Sequence, residues 1–129
     1  MAYSTELRNA KLDANTTIIG NAGKLEIYAG ADSGGTGNAE GTLLAVFTLG
    51  SPFAPPASGG VQSPTLPSAT TGVASGTAGW ARVTKADGTT AVMDLTVGTS
   101  GAQVNLSTLS ITVNGAVSVT SWTITAADA

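Results

Sequence analysis

Chemistry in a protein starts from side chains that can hold a proton, a metal or a nucleophilic electron pair, and this sequence is short of them. Across 129 residues there is no histidine and no cysteine. That removes the commonest general base, the commonest transition-metal ligand and every thiolate site, together with any Ser-His-Asp or Cys-His arrangement. The remaining titratable groups are the acids Glu6, Asp13, Glu26, Asp32, Glu40, Asp87, Asp94 and Asp128, and the bases Arg8, Lys11, Lys24, Arg82 and Lys85. A carboxylate pair of the glycosidase kind needs two acids facing one bond, and no spacing here brings two together. A Ser-Lys dyad would be expected to carry a G-x-S-x-G or S-x-x-K signature, and neither occurs.

The glycine-rich stretch at 29–41 is the one segment with ligand-like residues. As a dinucleotide loop it begins correctly with Gly35 and Gly37, but Glu40 stands where the third glycine belongs, and a strand-like run follows instead of a helix. As a calcium loop it offers Asp32, Thr36, Asn38 and Glu40 on alternate positions, without the terminal glutamate spacing or flanking helices. It reads as a surface loop. The triplets Asn15-Thr-Thr and Asn105-Leu-Ser match the glycosylation pattern, but the N-terminal residues have neither the apolar run nor the cleavage site of a secretory signal. The composition predicts no enzyme, no cofactor and no metal.

Composition bounds the partners as well. Charged residues are 10% of the chain and the net charge is −3, so no basic face is available to neutralise phosphates. The longest apolar runs are about seven residues, far below the ~20 that span a bilayer. Glycine, alanine, serine and threonine take the place of charge, a surface that suits close contact with neighbouring subunits because little charge must be desolvated.

The elements that position these residues are mostly strands. One helix is expected over about 4–19, capped by Ser4 or Thr5, with Glu6 in its first turn and Gly20 as its stop. Its apolar stripe is Leu7, Ala10, Ala14 and Ile18, with Leu12 and Ile19 off that stripe. Residues 24–28 alternate as a strand with one buried face, and 43–49 form a continuous apolar run, a strand buried on both faces. The stretch at 50–72 holds all five prolines, at 52, 55, 56, 64 and 67, and reads as a long Pro/Gly-rich loop with an edge strand at best over 61–66.

Residues 78–97 carry the strongest local signal, two strand-like runs around Asp87-Gly88, which suits a tight hairpin turn. In that hairpin Trp80, Arg82 and Thr84 share a face, and Arg82 is expected to meet Asp94 across the pair. Asn114-Gly115 predicts a second hairpin, and the alternation from Val117 to Ile124 changes face unless a bulge falls near Thr120–Ser121. The chain is thus expected to be a single domain over 1–129, mainly β: an antiparallel β-sandwich of about seven or eight short strands preceded by one N-terminal helix.

The fold-specifying residues resemble a known group. The opening Tyr3-Ser-Thr-Glu-Leu-Arg-Asn-Ala-Lys-Leu-Asp-Ala, then Ile19-Gly-Asn-Ala-Gly23, Leu25-Glu-Ile-Tyr28, Leu43-Leu-Ala45 and Thr48-Leu-Gly-Ser-Pro-Phe53 are similar to small proteins of the late, structural gene modules of tailed bacteriophages. So are Trp80-Ala-Arg-Val-Thr-Lys-Ala-Asp-Gly-Thr89 and the closing Ser118-Val-Thr-Ser-Trp-Thr-Ile-Thr125.

The resemblance implies a virion structural protein, first a capsid decoration or cement protein made in the host bacterial cytoplasm. Its partners would be the major capsid protein and copies of itself. A tail tube or tail-terminator component, or a host-binding module at the tail tip, is the alternative. On this expectation the candidate subunit contacts are Tyr3, Leu12, Pro52, Phe53, Pro55 and Pro56. Trp80, Trp122 and Phe53 are the aromatic anchors, and core is the first expectation for each.

Overall fold

A computed structural model describes residues 4–20, 22–30, 41–50 and 53–125. One helix, α1 (Thr5–Ile19), precedes β1 (Lys24–Ala29), β2 (Leu43–Thr48), β3 (Val61–Gln62), β4 (Thr70–Thr71), β5 (Gly76–Thr84) and β6 (Ala91–Gly98). The chain continues with β7 (Val104–Leu106), β8 (Ser110–Ile111), β9 (Ala116–Val117), β10 (Val119–Trp122) and β11 (Ile124–Thr125). The fold is mainly β with an N-terminal helix, as the pattern of the chain predicts. The expectation of seven or eight strands was low, because several elements here are two-residue pairings that no periodicity marks.

The main sheet has seven strands in the order β10-β7-β6-β5-β1-β2, with β8 also on β5; β11-β3 and β4-β9 form two short ladders. The sheet is mixed instead of purely antiparallel, because β6 and β7 run parallel through Val97↔Val104 and Gly98↔Asn105. Three long strands set its register. Leu25 pairs with Phe47 and Val83, and Val83 with Met93; Ile27 pairs with Ala45 and Ala81, and Ala81 with Leu95. These rows line the core face, which closes against Leu12, Ile19, Phe53, Val104, Leu106, Ile111, Val117, Trp122 and Ile124 in one contiguous cluster. The alternate rows, Glu26–Arg82–Asp94 and Tyr28–Trp80–Thr96, line the opposite face. That face is covered too: Glu26, Trp80, Arg82 and Thr84 are buried. The single buried face expected for residues 24–28 is thus corrected to two.

The helix begins as expected. The Ser4 hydroxyl accepts the Leu7 N–H at 3.1 Å, and Gly20 ends the helix by donating to Thr16. Its Leu7–Ala10–Ala14–Ile18 stripe faces outward. Leu7 and Ile18 are 44% and 51% exposed, and Ala10 and Ala14 are exposed with them, while Leu12 and Ile19, off the stripe, face the core. The polar side chains explain the orientation. Asn9 accepts the Gly60 N–H at 2.8 Å, Asp13 accepts the Ala57 N–H at 2.7 Å, and Gln62 donates to the Leu12 carbonyl at 2.8 Å. Ala57 and Gly60 lie outside any strand, and an amide left unpaired in the interior costs about 1–3 kcal/mol, so the helix side chains that accept them favour this orientation. The helix therefore turns its polar stripe to the chain's own 57–62 segment.

The hairpin at 78–97 forms, but not with a two-residue turn. β5 ends at Thr84 and β6 starts at Ala91. The connection closes through Lys85 N–H to Thr90 O and Gly88 N–H to Lys85 O, both at 3.0 Å. Asp87 fastens it: one carboxylate oxygen accepts the Thr89 and Thr90 amides, each at 2.8 Å, and the other accepts the Thr90 hydroxyl. Gly88 supplies the positive φ of 73°.

Asn114, at φ 63°, and Gly115 also make a turn, with Gly115 N–H bonded to Thr112 O. The flanking strands do not pair with each other, since β8 joins β5 and β9 joins β4. The bulge predicted near Thr120–Ser121 is present as a register shift between Val119 and Ser121. Residues 61–66 yield only the two-residue β3, paired with β11.

The Asp87 bonds depress its carboxyl pKa to about 2, the Thr90 hydroxyl contributing most and the two amides next. A depressed acid stabilises the fold above its unfolded pKa, and that stabilisation is lost as pH falls through the folded value. Asp87→Ala should therefore lower the Tm at pH 7, and the gap to wild type should close between about pH 4 and 2; a gap that persists at pH 2 in thermal circular dichroism would contradict this. Separately, Gln62→Leu should cost about 1–3 kcal/mol in urea unfolding, because it strands the Asn15 side-chain amide that Gln62 accepts as well as its own bonds.

Candidate functional site

Two places gather polar or reactive side chains. The first is the covered row on the non-core face of the main sheet. Arg82 on β5 and Asp94 on β6 are register partners, and the guanidinium meets the carboxylate with two bonds, Nε–Oδ1 at 2.8 Å and Nη2–Oδ2 at 3.2 Å. Their side chains are 7% and 5% exposed. The same guanidinium lies 5.2 Å from the Trp80 ring centroid, and Tyr28 stacks on Trp80 at 4.6 Å. Beside them the Tyr28 hydroxyl donates to Glu26 at 3.0 Å. Such a pair recovers its desolvation cost only when its remaining bonding groups are also satisfied, and the two-point geometry and the aromatic faces around it supply that.

The electrostatics of the row follow from burial. Desolvation raises the Glu26 pKa, against the Tyr28 hydrogen bond and the Arg82 charge, which lower it. Desolvation, then the neighbouring Glu26 charge, pushes the Tyr28 hydroxyl up to about 12. The arrangement holds two acids, one base and two stacked rings, with Trp80 2% exposed and Glu26 and Arg82 buried beside it. Among the described residues no group of three acids could hold a metal ion. No described helix is long and apolar enough to cross a membrane.

The second place is the outer side of α1 with the segment it carries. A shallow groove of about 300 Å³ runs between helix and segment, lined by Asp13, Thr16, Thr17, Ala54 and Pro56. Its walls are one carboxylate already bonded to the Ala57 amide, two threonines, and apolar Ala54 and Pro56. Along the solvent side of the same helix lies the exposed stripe Leu7, Ala10, Ala14 and Ile18.

Of the residues singled out from sequence, Pro55 and Pro56 are exposed here, with Pro56 in the groove. Leu12 and Phe53 are interior, Phe53 edge-to-face against Trp122 at 5.2 Å. Tyr3, Pro52 and the acidic positions Asp32, Glu40 and Asp128 lie outside the described residues, as does 31–40 of the glycine-rich stretch. Trp80 and Trp122 are buried, and neither offers its ring to solvent.

No family model, curated protein or solved structure matches this chain. The residues that sequence reasoning left aside are Glu26 and Tyr28. Their signal was present as two polar-capable side chains on alternate positions of a strand next to the Trp80–Arg82 face, but strand order was needed to use it.

For Glu26, the raised folded pKa means that its contribution to stability is full below the unfolded carboxyl pKa and is lost as pH rises through the folded value. Glu26→Gln, which keeps an acceptor for Tyr28, should raise the Tm at pH 7 and leave it nearly unchanged at pH 4; equal shifts at both pH values would refute the assignment. Arg82→Met should cost about 3–5 kcal/mol, since it leaves Asp94 buried without its counter-charge.

Proposed function

We propose that the protein is a non-enzymatic structural component of a tailed-bacteriophage virion, a capsid decoration or cement protein whose partners are the major capsid protein and copies of itself. The observation that carries this reading is the outer face of α1. Leu7 and Ile18 are each about half exposed on a helix whose polar side is turned inward, with Ala10 and Ala14 between them. Exposed leucine and isoleucine at helical spacing form a stripe of the kind that seats in a groove of a partner. The stripe is flanked by the exposed Glu6 and Lys11, while the rest of the chain is sparsely charged, which lowers the cost of docking there. The resemblance of the fold-specifying residues to late phage proteins supports the same reading.

In that role the protein does no chemistry. Each copy would bury the helix stripe and the Pro55–Pro56 shoulder on a shell subunit, and many weak identical contacts would sum to a strong attachment. Quantitative mass spectrometry of purified virions tests this: hundreds of copies per particle fit a shell role, whereas a few copies point to the tail tip and a hexameric ring to the tail tube or terminator. The paired variant Leu7→Glu/Ile18→Glu should fold with a Tm close to wild type, because both side chains already face water. It should lose shell occupancy at least tenfold in a rebinding assay with particles stripped of this protein. Full occupancy by the variant would remove the helix from the contact.

A further inference from the structure

Among the described residues the outer edge of β2 is unpaired beyond Leu44, and its hydrogen-bonding pattern is complementary to itself. β2 is the last strand of the main sheet in the order β10-β7-β6-β5-β1-β2. The Leu49 N–H bonds to the Gly23 carbonyl, so in the antiparallel ladder the pairs Leu25/Phe47 and Ile27/Ala45 face each other with their backbone groups. Val46 and Thr48 therefore aim their N–H and C=O groups away from β1. One outward group of this edge, the Leu44 carbonyl, accepts the Val73 N–H at 2.8 Å. Among the described residues no strand or loop pairs with Val46 or Thr48 beyond it.

Free sheet edges in monomers are normally blunted by lysine, proline, a bulge or an inward charge. The strand Leu-Leu-Ala-Val-Phe-Thr has no charge and no proline, and its register shift, opposite Ile27/Tyr28, falls at the Leu43–Leu44 end, away from Val46 and Thr48. Its side chains are held from both faces, with Leu44, Ala45 and Phe47 buried, so the strand presents a fixed edge. Val73, 60% exposed, stands at the end of that edge.

We infer that β2 pairs with β2 of a second copy of this chain, antiparallel about a two-fold axis at Phe47. In that register Val46 of one copy lies opposite Thr48 of the other, and the four outward N–H and C=O groups of each copy are all satisfied by four inter-chain bonds. The register ends where the Val73 amide already occupies Leu44, so the available edge and the required ladder have the same length. One charge lies beside this edge, the Lys24 amine, 3.2 Å from the Thr48 hydroxyl. A longer continuous sheet results, β1 and β2 of one copy running into β2 and β1 of the next.

The inference takes up one part of the virion reading, association with copies of itself, and rests on that part alone. Shell attachment is read by rebinding to stripped particles and self-pairing by the free protein in solution, so either can fail without the other. Light scattering coupled to gel filtration on the wild-type chain should give the mass of a dimer, with amide hydrogen exchange at Val46 and Thr48 slowing at least tenfold as concentration rises through the dissociation constant. Thr48→Pro removes an outward N–H that no internal bond uses, and should give the monomer mass, while Thr48→Val stays dimeric. A wild-type monomer at all concentrations overturns the inference, as does a dimer whose Val46 and Thr48 amides exchange at the monomer rate.

Discussion

The Arg82–Asp94 pair fixes the register on which the rest of the sheet depends. Both side chains are buried on the non-core face of the two longest strands, and they meet in a two-point contact. A slip of one residue would place Asp94 opposite Ala81 or Val83 and turn its carboxylate into the core. The cost of an unpaired buried carboxylate is several kcal/mol, comparable with the whole stability of a small domain. Once that register holds, Leu25–Val83–Met93 and Ile27–Ala81–Leu95 form continuous apolar rows, and the core follows from them. The Tyr28–Trp80 stack and the guanidinium beside Trp80 complete the opposite face, so a chain with few charges spends two of them as a structural clamp.

The helix obeys the complementary constraint. Between the proline-rich stretch and β3 the chain presents the Ala57 and Gly60 amides to the helix with no strand to receive them. Asn9 and Asp13 accept these two amides, and Gln62 reaches back to the helix backbone. These bonds decide which side of α1 faces inward, and Leu12 and Ile19 supply the apolar contact that fits that orientation. The more regular apolar stripe is left outside. The helix is therefore a strap that holds an irregular segment, with an apolar surface as the consequence.

Much of this was legible in the residues, and the parts that were not share a cause. Ser4 as cap, Gly20 as stop, the Arg82–Asp94 pairing and the bulge near Thr120–Ser121 are short-range features, set by neighbours in sequence or by alternation along one strand. The helix orientation depended on amides about 45 to 50 residues away, which apolar periodicity does not count. Asn114-Gly115 made its turn as its chemistry requires, but where β8 and β9 would pair was a matter of distant strands. The parallel contact of β6 with β7 belongs to the same class, as does the covering of Glu26, whose burial depends on the strands that flank it. Local chemistry was readable; the assignment of faces was not. Of the candidate contacts, Leu12 and Phe53 are large apolar residues, which burial in the chain's own core and burial against a neighbour would select alike, and only the fold separates those two uses.

The scarcity of charge links the surface to the edge. A monomer ordinarily keeps its sheet edges apart with lysines and its helices soluble with ion pairs, and this chain has only five bases, one of them locked in the clamp. Serine and threonine keep such a surface wet, yet they give no repulsion against a second copy. The strand β2, with no charged residue of its own, and the outward apolar stripe of α1 are each costly for a protein that must stay alone at high concentration. For a protein that works as one of many copies the cost would reverse: a surface that is cheap to desolvate, with an edge strand free of charged residues, would favour assembly without a cofactor or a covalent bond.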